Sequence, residues 1–401
     1  MRFSFVPSWV RGLIVSALVA SGGRVAAQVV APPEEVHGLY LGTALSTSYD
    51  SNVTREPQGA GAQGSMIDAA SLLAGFDNTY GRQHLFASAD VGRVVYPQYS
   101  LYDYTQQDVR VGLKSELPSN INTEVVALRT QQLAPQANLT TIQRNVITTD
   151  AVKAAGYFPL AVDWHAVVSG NASWLRNSNV IDQPTDLNTS EVDVGVRYQT
   201  GKQNYVDLLA RSALATYPDG GQTVLGVNDY RDRGADLRTQ WQFSGASTLQ
   251  GHIGYVKRTN ETLTYLNFSA PSYDLTYLWT PFSKSSLTMV LLRTVGAIEG
   301  NGYLMAVNHT YRVTPAYLPT DNIRLEAHVE WSGVNYYGNV QAQPSTTSRT
   351  DSDTSIGLAA IWTPARWLKV KIDAHREQRS SNQAMWDYAD RVSTLAMEAK
   401  F

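Results

Sequence analysis

Apolar and polar residues alternate along several long segments of this chain. Every second residue from Ile323 to Trp331 is apolar and the residues between them are polar, and the same period runs from Leu368 to Ala374 and around Val194. A period of two places successive side chains on opposite faces of a strand, so the pattern predicts amphipathic β-strands. Soluble sandwich strands average ~5 to 6 residues. Stretches of ten or more residues, as from 322 to 332, instead suit tilted strands that cross a bilayer, which need about 9 to 11.

Turn-forming residues separate these segments at a nearly constant spacing. Gly, Pro, Asn and Ser favour tight turns, and they mark eight candidate short turns. These are Gly81–Gln83, Pro118–Asn120, Pro159–Leu160, Thr200–Lys202, Gly245–Ser247, Pro281–Lys284, Pro315–Asp321 and Pro364–Arg366. With both termini on the periplasmic side, eight turns imply 18 strands, within about two because segments such as Thr123 to Leu133 alternate poorly. The predicted fold is all-β: one transmembrane, antiparallel, up-and-down barrel of about 18 strands (16–18).

Longer segments rich in Gly, Asn, Ser and Gln lie between successive turns. Such segments are typical of the extracellular loops of membrane barrels. Nine are expected: Val53–Gly64, Pro97–Tyr104, Ala134–Thr140, Asn177–Pro184, Pro218–Val227, Thr259–Tyr265, Gly296–Gly302, Asn335–Arg349 and Ser380–Asp387.

The amino-terminal residues read as an export signal. Arg2 and Arg11 precede an apolar run from Gly12 to Ala20, and small residues end at Ala27. This predicts a signal peptide over 1–27, a short periplasmic segment over 28–36, and a barrel over 37–401. Removal of 27 residues takes away three arginines and no acids, so the net charge changes from -3 to -6. A mildly acidic exported chain gives no electrostatic reason to expect a nucleic-acid partner.

Aromatic residues stand where membrane boundaries are expected. Trp279 and Trp362 each precede a turn proline by two residues, and tryptophan collects at headgroup depth. A second aromatic signal lies at the carboxyl end, where alternating apolar residues run to a terminal aromatic. We interpret Leu395, Met397 and Phe401 as a signal read by the barrel assembly machinery.

The inward faces of the predicted strands carry charges of both signs. They are Asp90, Asp108, Arg110, Asp193, Arg197, Asp207, Arg211, Arg238, Arg324, Glu326, Glu330, Lys369, Lys371 and Asp373. About 18 strands enclose an aqueous lumen, and a ring of one sign would select ions of the other. Mixed charge instead favours neutral or bulky hydrophilic solutes. Alternatively, these charges pair across strands and stabilise the wall.

The sequence offers little support for enzyme chemistry. No histidine is followed two residues later by serine, and no phosphate-binding loop or metal-ligand cluster is recognisable. His328 and His375 lie beside acids on lumen faces, where a structural role is more common. The chain contains no cysteine, which excludes disulfides and thiolate catalysis. We expect no catalytic residues, no metal and no cofactor.

Two local motifs point to a family. Tyr49-Asp50-Ser51-Asn52-Val53 closes the first predicted strand, and Trp-Thr-Pro turns occur at 279–281 and 362–364. With the size and the terminal Phe401, these resemble the EpsL-type outer-membrane β-barrels of exopolysaccharide biosynthesis operons, a branch of the β-barrel porins. The resemblance in layout covers nearly the whole chain after the signal peptide. It implies passage of a nascent polysaccharide across the outer membrane, with lipid and polysaccharide as partners and no established catalytic residues.

Aromatic rings in the loops are compatible with that role, because sugars stack on aromatic faces. The candidates are Tyr96, Tyr99, Tyr102, Tyr104, Tyr336, Tyr337 and Trp386. Only a short segment precedes the first strand, so export would need separate periplasmic or inner-membrane export proteins. Three classes of function therefore remain: exopolysaccharide export, a general or solute-specific diffusion porin, and a surface protein for which the barrel is only an anchor.

Overall fold

A computed structural model describes residues 38–57, 59–138, 143–201, 204–220, 229–296, 303–339 and 349–401. These residues form one sheet of eighteen strands. The strands are β1 Gly38–Asp50, β2 Ser65–Tyr80, β3 Gln83–Val95, β4 Tyr104–Leu117, β5 Ile121–Leu133, β6 Val146–Pro159, β7 Trp164–Asn177, β8 Leu187–Gln199, β9 Tyr205–Thr216, β10 Tyr230–Ser244, β11 Ser247–Asn260, β12 Phe268–Phe282, β13 Ser285–Gly296, β14 Tyr303–Thr320, β15 Ile323–Asn339, β16 Thr350–Ala365, β17 Leu368–Ser381 and β18 Tyr388–Lys400. The predicted signal peptide (1–27) and amino-terminal segment (28–36) lie outside the described residues.

Every strand pairs antiparallel with the next, and the last strand pairs with the first. The closing pair runs from Gly42 opposite Lys400 to Asp50 opposite Val392. Backbone hydrogen bonds in both directions between Leu41 and Phe401 extend this seam. The prediction of a closed up-and-down barrel of about 18 strands is therefore confirmed.

The two ends of the barrel differ in the length of their connections. At one end, here called the turn end, eight connections of two to five residues join the strands. At the other, the loop end, nine connections of six to fourteen residues do so. The predicted turns and loops fall at these connections with one notable difference. β14 continues through Pro315 to Thr320, whereas a turn was expected from Pro315. Parts of the turn predicted at Thr200–Lys202 and of the loops predicted at Val53–Gly64, Ala134–Thr140, Pro218–Val227, Gly296–Gly302 and Asn335–Arg349 lie outside the described residues.

Pro315 can lie within β14 because it is paired with only one of the two neighbouring strands. It pairs with Leu287 on β13, while the ladder to β15 skips Thr314 and Pro315. A proline cannot donate a backbone hydrogen bond, so one neighbour must do without it. The strand tolerates this interruption because the ladder resumes at Ala316 opposite Glu326.

The outer face of the barrel is apolar and bordered by aromatic residues. Leu72, Val194, Leu358 and many other large apolar side chains are exposed there. Trp279 and Trp362 are exposed beside the turns, at 43% and 49%, as are Phe243, Phe282 and Phe401. Membrane barrels have such a band flanked by aromatic girdles. Among the described residues no helix is long and apolar enough to span a membrane.

Candidate functional site: the barrel lumen and its loop end

The structure places all fourteen predicted lining residues on the inner face of the barrel, opposite the band of exposed apolar side chains that is here called the apolar belt. In β8, for example, Val192 and Val194 are exposed outward at 54% and 52%, whereas Asp193 between them is buried at 3%. The inward residues of one strand identify the inward residues of the next, because side chains directly opposite each other in a ladder lie on the same face of the sheet. Asp193 thus shares a face with Arg211, and Asp90 with Asp108.

Five of the inward residues form a charged ladder across β8, β9 and β10. Arg211 lies 3.2 Å from Glu191, 3.3 Å from Asp193 and 2.7 Å from Asp236. Arg238 lies 2.6 Å from Asp193 and 3.7 Å from Asp236. The β8–β10 ladder therefore holds three carboxylates and two guanidinium groups. It presents positive and negative charges to the lumen, and each guanidinium group is in contact with at least one carboxylate.

Arg197 is enclosed by an acid and two aromatic rings of the wall. Its Nε lies 2.6 Å from Asp207, and its guanidinium carbon lies 4.2 Å and 3.9 Å from the ring centroids of Tyr157 and Tyr205. Arg197 and Asp207 are 6% and 3% exposed. This pair fits the alternative interpretation, in which inward charges stabilise the wall.

A second charged region covers β14 to β18. Arg312 pairs with Glu330 at 2.5 Å and Arg324 with Glu326 at 2.6 Å. Asp373 lies 3.0 Å from His375 and 4.0 Å from Lys371, and Lys369 lies opposite Glu398. The His328 and His375 ring centroids are 5.9 Å apart. In the described part of the chain, no group of three His, Asp or Glu residues could hold a metal ion.

A third region, on β3 and β4, is less completely paired. Asp90 is directly opposite Asp108, and the buried atoms Asp90 Oδ1 and Arg110 Nε have no hydrogen-bond partner among the described residues. The Arg110 guanidinium lies 5.2 Å from the Phe86 ring centroid. Buried polar groups need partners, so water or a passing solute would have to satisfy these atoms.

The loop end contains a buried arginine that joins two distant parts of the wall. Arg379 of β17 lies 2.7 Å from Asp353 and 3.5 Å from Asp351. Its Nη1 also donates a hydrogen bond of 3.0 Å to the main-chain oxygen of Ala137, in the β5–β6 loop. Ala137 is itself 3% exposed. The β5–β6 loop therefore lies against the inner face of β17, with five strands between them in sheet order.

This contact requires a narrowed loop end. Eighteen strands ~4.8 Å apart and tilted by ~40° would form a circular barrel of about 18 Å radius, with β5 and β17 roughly 31 Å apart. Ala137 is four residues along the chain from Leu133, the end of β5, and four residues can reach at most about 14 Å. An arginine side chain adds only several more ångströms. The wall and loops must therefore lie closer together here than an open circular pore would allow.

Two further arginines fix neighbouring loops. Arg55 of the β1–β2 loop lies 2.8 Å from Asp50 and 2.9 Å from Asp390. Burial disfavours its charge, yet the two carboxylates outweigh that effect and raise the pKa of Arg55. Arg349 is fully buried; its Nε donates to Asp351 at 2.9 Å, and its guanidinium carbon lies 3.7 Å from the Trp386 ring centroid. Arg55, Arg349 and Arg379 together are called the loop-end arginine cluster.

The Tyr-Asp-Ser-Asn-Val motif contributes to this cluster. Asp50 accepts a hydrogen bond of 2.8 Å from the backbone of Asn52, and the Asn52 amide donates to Glu56 at 2.9 Å and to Ala389 at 3.2 Å. These contacts order the first loop and place Arg55 beside Asp390. The motif therefore has a local structural role.

Most of the predicted sugar-contacting aromatics are enclosed by other loop residues. Tyr96, Tyr102, Tyr104, Tyr336 and Trp386 are 0% to 7% exposed. The first three pack with Val53, Leu133 and Val146. Their ring faces are not open to a sugar in this structure. Tyr337 is 39% exposed, and Tyr99 is half-buried and donates to Gln63 at 2.8 Å.

The patterns in the sequence did not indicate the loop-end arginine cluster. Arg379 could have been found, because it continues the inward series of Lys371, Asp373 and His375 by two further steps. The alternating segment recognised in the sequence ended before that step. Arg55 and Arg349 lie in or beside loops and follow no periodicity, so no comparable signal marks them.

Comparisons with known proteins show the fold. No protein-family model matches the sequence, and no curated protein matches it. The structure is similar to the solved structures of OccK2 (OpdF) and OccK9 (OpdG) from Pseudomonas aeruginosa, at 9% and 12% identity and a TM-score of 0.50 each. The alignments cover 90% of this chain in both cases and 97% and 98% of those chains. OccAB4 from Acinetobacter baumannii aligns over 92% of this chain and 100% of its own, with 11% identity and a TM-score of 0.49.

The fold shared with OccK2 and OccK9 agrees with the architecture derived from the residues. A closed barrel of eighteen antiparallel strands, apolar outside and charged inside, belongs to the outer-membrane class of β-barrels. Membership of the EpsL-type family is not shown by them.

Proposed function

We propose that this barrel is an outer-membrane porin through which small hydrophilic solutes diffuse. The observation that carries the proposal is the contact between Arg379 and Ala137. It holds the β5–β6 loop against the inner face of β17 and narrows the loop end. A water-filled lumen with a loop-narrowed mouth passes small solutes and retards bulky ones.

The charges of the lumen wall are compatible with the passage of hydrophilic solutes of either sign. The β8–β10 ladder presents Glu191, Asp193 and Asp236 beside Arg211 and Arg238. A ring of one sign would select ions of the other sign, and these charges are mixed. On β3 and β4, Asp90 and Arg110 offer unpaired polar atoms that a solute hydroxyl or carboxylate could contact.

Export of a polysaccharide has less support in the structure. Five of the seven aromatic candidates are buried, so the stacking surface expected for a polymer is mostly enclosed. The anchor interpretation is also weakly supported, because the longest loop, between β1 and β2, has fourteen residues. The proposed role is that of a channel, and no enzymatic step is assigned to it.

Liposome swelling tests the proposal. Purified protein in liposomes should admit small neutral sugars and amino acids, with rates that fall steeply as the solute grows to an oligosaccharide. Liposomes without the protein are the baseline. Equal rates for a small sugar and a long oligosaccharide would contradict a narrowed porin.

A gene deletion separates uptake from export. Under the porin proposal, the deletion strain secretes normal amounts of polysaccharide and takes up some small solute more slowly. Loss of secreted polysaccharide with retention of polymer in the periplasm, while small-solute uptake stays normal, would instead select the export function.

A further inference from the structure

Four basic residues oppose each other in pairs on the outer face of the barrel. Arg233 of β10 lies directly opposite Lys257 of β11, and Arg376 of β17 lies directly opposite Arg391 of β18. All four side chains are exposed. In each strand the adjacent residue points inward; Asp390, next to Arg391, is buried. The two pairs are called the outer cation pairs.

Like charges directly opposite in a ladder destabilise a sheet. No described carboxylate forms an ion pair with any of the four. Their only side-chain hydrogen bond to a described residue runs from Arg376 to Gln378 at 3.4 Å. Another outward cation is neutralised within the protein. Arg129 on β5 lies opposite Asp150 on β6, with 3.2 Å between the charged groups. The outer cation pairs therefore need an anion from outside the chain.

The position of the pairs indicates where that anion lies. Towards the turn end, the outward row after Arg233 and Lys257 is Ala235 and Tyr255, and the next is Leu237 and Ile253. Tyr255 and Ile253 are 55% and 50% exposed. The apolar belt thus begins one step below the cations.

The height of the belt agrees with this position. Arg233 is ten residues along β10 from the exposed aromatic Phe243 near the turn end. At ~3.3 Å per residue and a tilt of ~40°, ten residues span about 25 Å along the axis, which is the height of the apolar band of a membrane barrel. Arg233 therefore lies at the edge of the band, at the depth of lipid headgroups.

The second pair has the same arrangement. Below Arg376 and Arg391 the outward rows are Ala374 with Ser393, then Ile372 with Leu395. Ile356, the outward neighbour of Arg376 on β16, is 57% exposed. Cations above an apolar surface match an amphiphile with an anionic head and acyl chains.

We propose that the outer cation pairs bind phosphate groups of an anionic lipid at the loop-end surface of the membrane. Guanidinium groups present forked donors that match phosphate oxygens, and basic residues beside a membrane attract anionic headgroups. One phosphate between two opposed cations removes their repulsion. The acyl chains of the same lipid cover the apolar rows below. This site is independent of the solute path, because it lies on the other face of the sheet.

Lipid titration in a neutral detergent tests the site. The probes are a bisphosphorylated lipid A, the same glycolipid without phosphates, and inorganic phosphate, with binding counted by native mass spectrometry. The variants are Arg233→Gln with Lys257→Gln, and Arg376→Gln with Arg391→Gln. The control is Arg129→Gln with Asp150→Asn, an outward pair that is already neutral.

The wild-type barrel should bind the phosphorylated lipid more tightly than the dephosphorylated one. Charge-assisted contacts support a loss of about tenfold or more in affinity for each variant pair, and the control should bind as the wild type does. Variants with Arg376→Lys and Arg391→Lys should retain most of the affinity because they keep the charge. If the glutamine variants do not fold, the comparison of the phosphorylated and dephosphorylated lipids on the wild-type barrel still tests the proposal.

Three outcomes would overturn the proposal. The first is equal lipid affinity in the wild type and both glutamine variant pairs. The second is equal affinity for the phosphorylated and dephosphorylated lipids. The third is inorganic phosphate competing as effectively as the lipid, which would make the pairs a site for the free anion.

Discussion

Arg379 and Ala137, 242 positions apart in the chain, are joined by a 3.0 Å hydrogen bond from the guanidinium Nη1 to the main-chain oxygen. The same guanidinium is held by Asp353 at 2.7 Å and lies 5.1 Å from the Tyr388 ring centroid. The arginine is thus fixed by the wall, and the loop is fixed by the arginine. This side chain therefore links the wall at β17 to the β5–β6 loop.

Replacement of this arginine should widen the mouth. In Arg379→Gln the β5–β6 loop loses its donor and Asp353 loses its cation, so liposome swelling with oligosaccharides should become faster relative to swelling with a monosaccharide. Breaking a buried ion pair costs about 3 to 5 kcal/mol, and the unfolding midpoint in denaturant should fall accordingly. Arg366→Gln, at an exposed turn-end position, is the control and should change neither quantity. An unchanged size dependence in a folded Arg379→Gln barrel would contradict the role assigned to the contact.

A charge on the outer face should destabilise the barrel far more than a charge in the lumen. Val194 is exposed at 52% near the middle of β8, so Val194→Arg should cost about 2 to 4 kcal/mol in a bilayer. Asn171→Arg is the matched variant, because Asn171 lies inward on β7 and directly opposite Glu191. It should unfold at nearly the wild-type midpoint. Equal losses in the two variants, measured by denaturant titration in lipid vesicles, would mean that the facing is assigned incorrectly.

The β8–β10 ladder should set the ion selectivity. Asp193→Asn removes a carboxylate that contacts both Arg211 and Arg238, so the reversal potential in a salt gradient should shift towards anion selectivity. Arg238→Gln should shift it in the opposite direction. Salt screens charges across an aqueous lumen, so each change should alter the permeability ratio by less than about tenfold, which corresponds to 1.4 kcal/mol.

Asp150→Asn provides the control for selectivity. Asp150 lies outward, opposite Arg129, and its replacement should leave the reversal potential unchanged. Shifts of the same sign in Asp193→Asn and Arg238→Gln would show that the ladder does not control the field in the pore.

The terminal aromatic should matter for assembly more than for stability. Phe401 is 74% exposed and stacks on Trp367 with 5.5 Å between ring centroids. Loss of such a ring pair costs only ~0.5 to 1.5 kcal/mol. Phe401→Ala should therefore reduce folded protein in the outer membrane several-fold while the purified barrel unfolds at nearly the same midpoint.

Phe282→Ala controls for loss of an exposed aromatic at the same end, because Phe282 is 73% exposed. Its outer-membrane level, measured as heat-modifiable protein, should match the wild type. Equal levels of the two variants would remove the assembly role proposed for Leu395, Met397 and Phe401.

Much of the fold could be predicted because the signals are local. A period of two determines which side chains share a face, and turn residues such as Gly81, with its φ of 63°, mark where a strand ends. Pro315 misled the prediction because a proline in one strand is compatible with pairing on its other side. Thr123 to Leu133 alternates poorly because apolar Val126 and Leu128 lie on its inner face, and because Arg129 lies on its outer face, where Asp150 of another strand pairs with it.

The sequence by itself determined the strands, their facing, their approximate number and the inward charges, since each follows from the alternation of neighbouring residues and from turn chemistry. Only the tertiary structure decided which charges meet. Arg376 faces Arg391, and Arg211 reaches Glu191, Asp193 and Asp236, because of the register between strands. Arg379 reaches Ala137 because a loop without periodicity folds against a distant strand. The Arg379 contact depends on closure of the whole barrel, which brings two residues 242 positions apart within hydrogen-bonding distance.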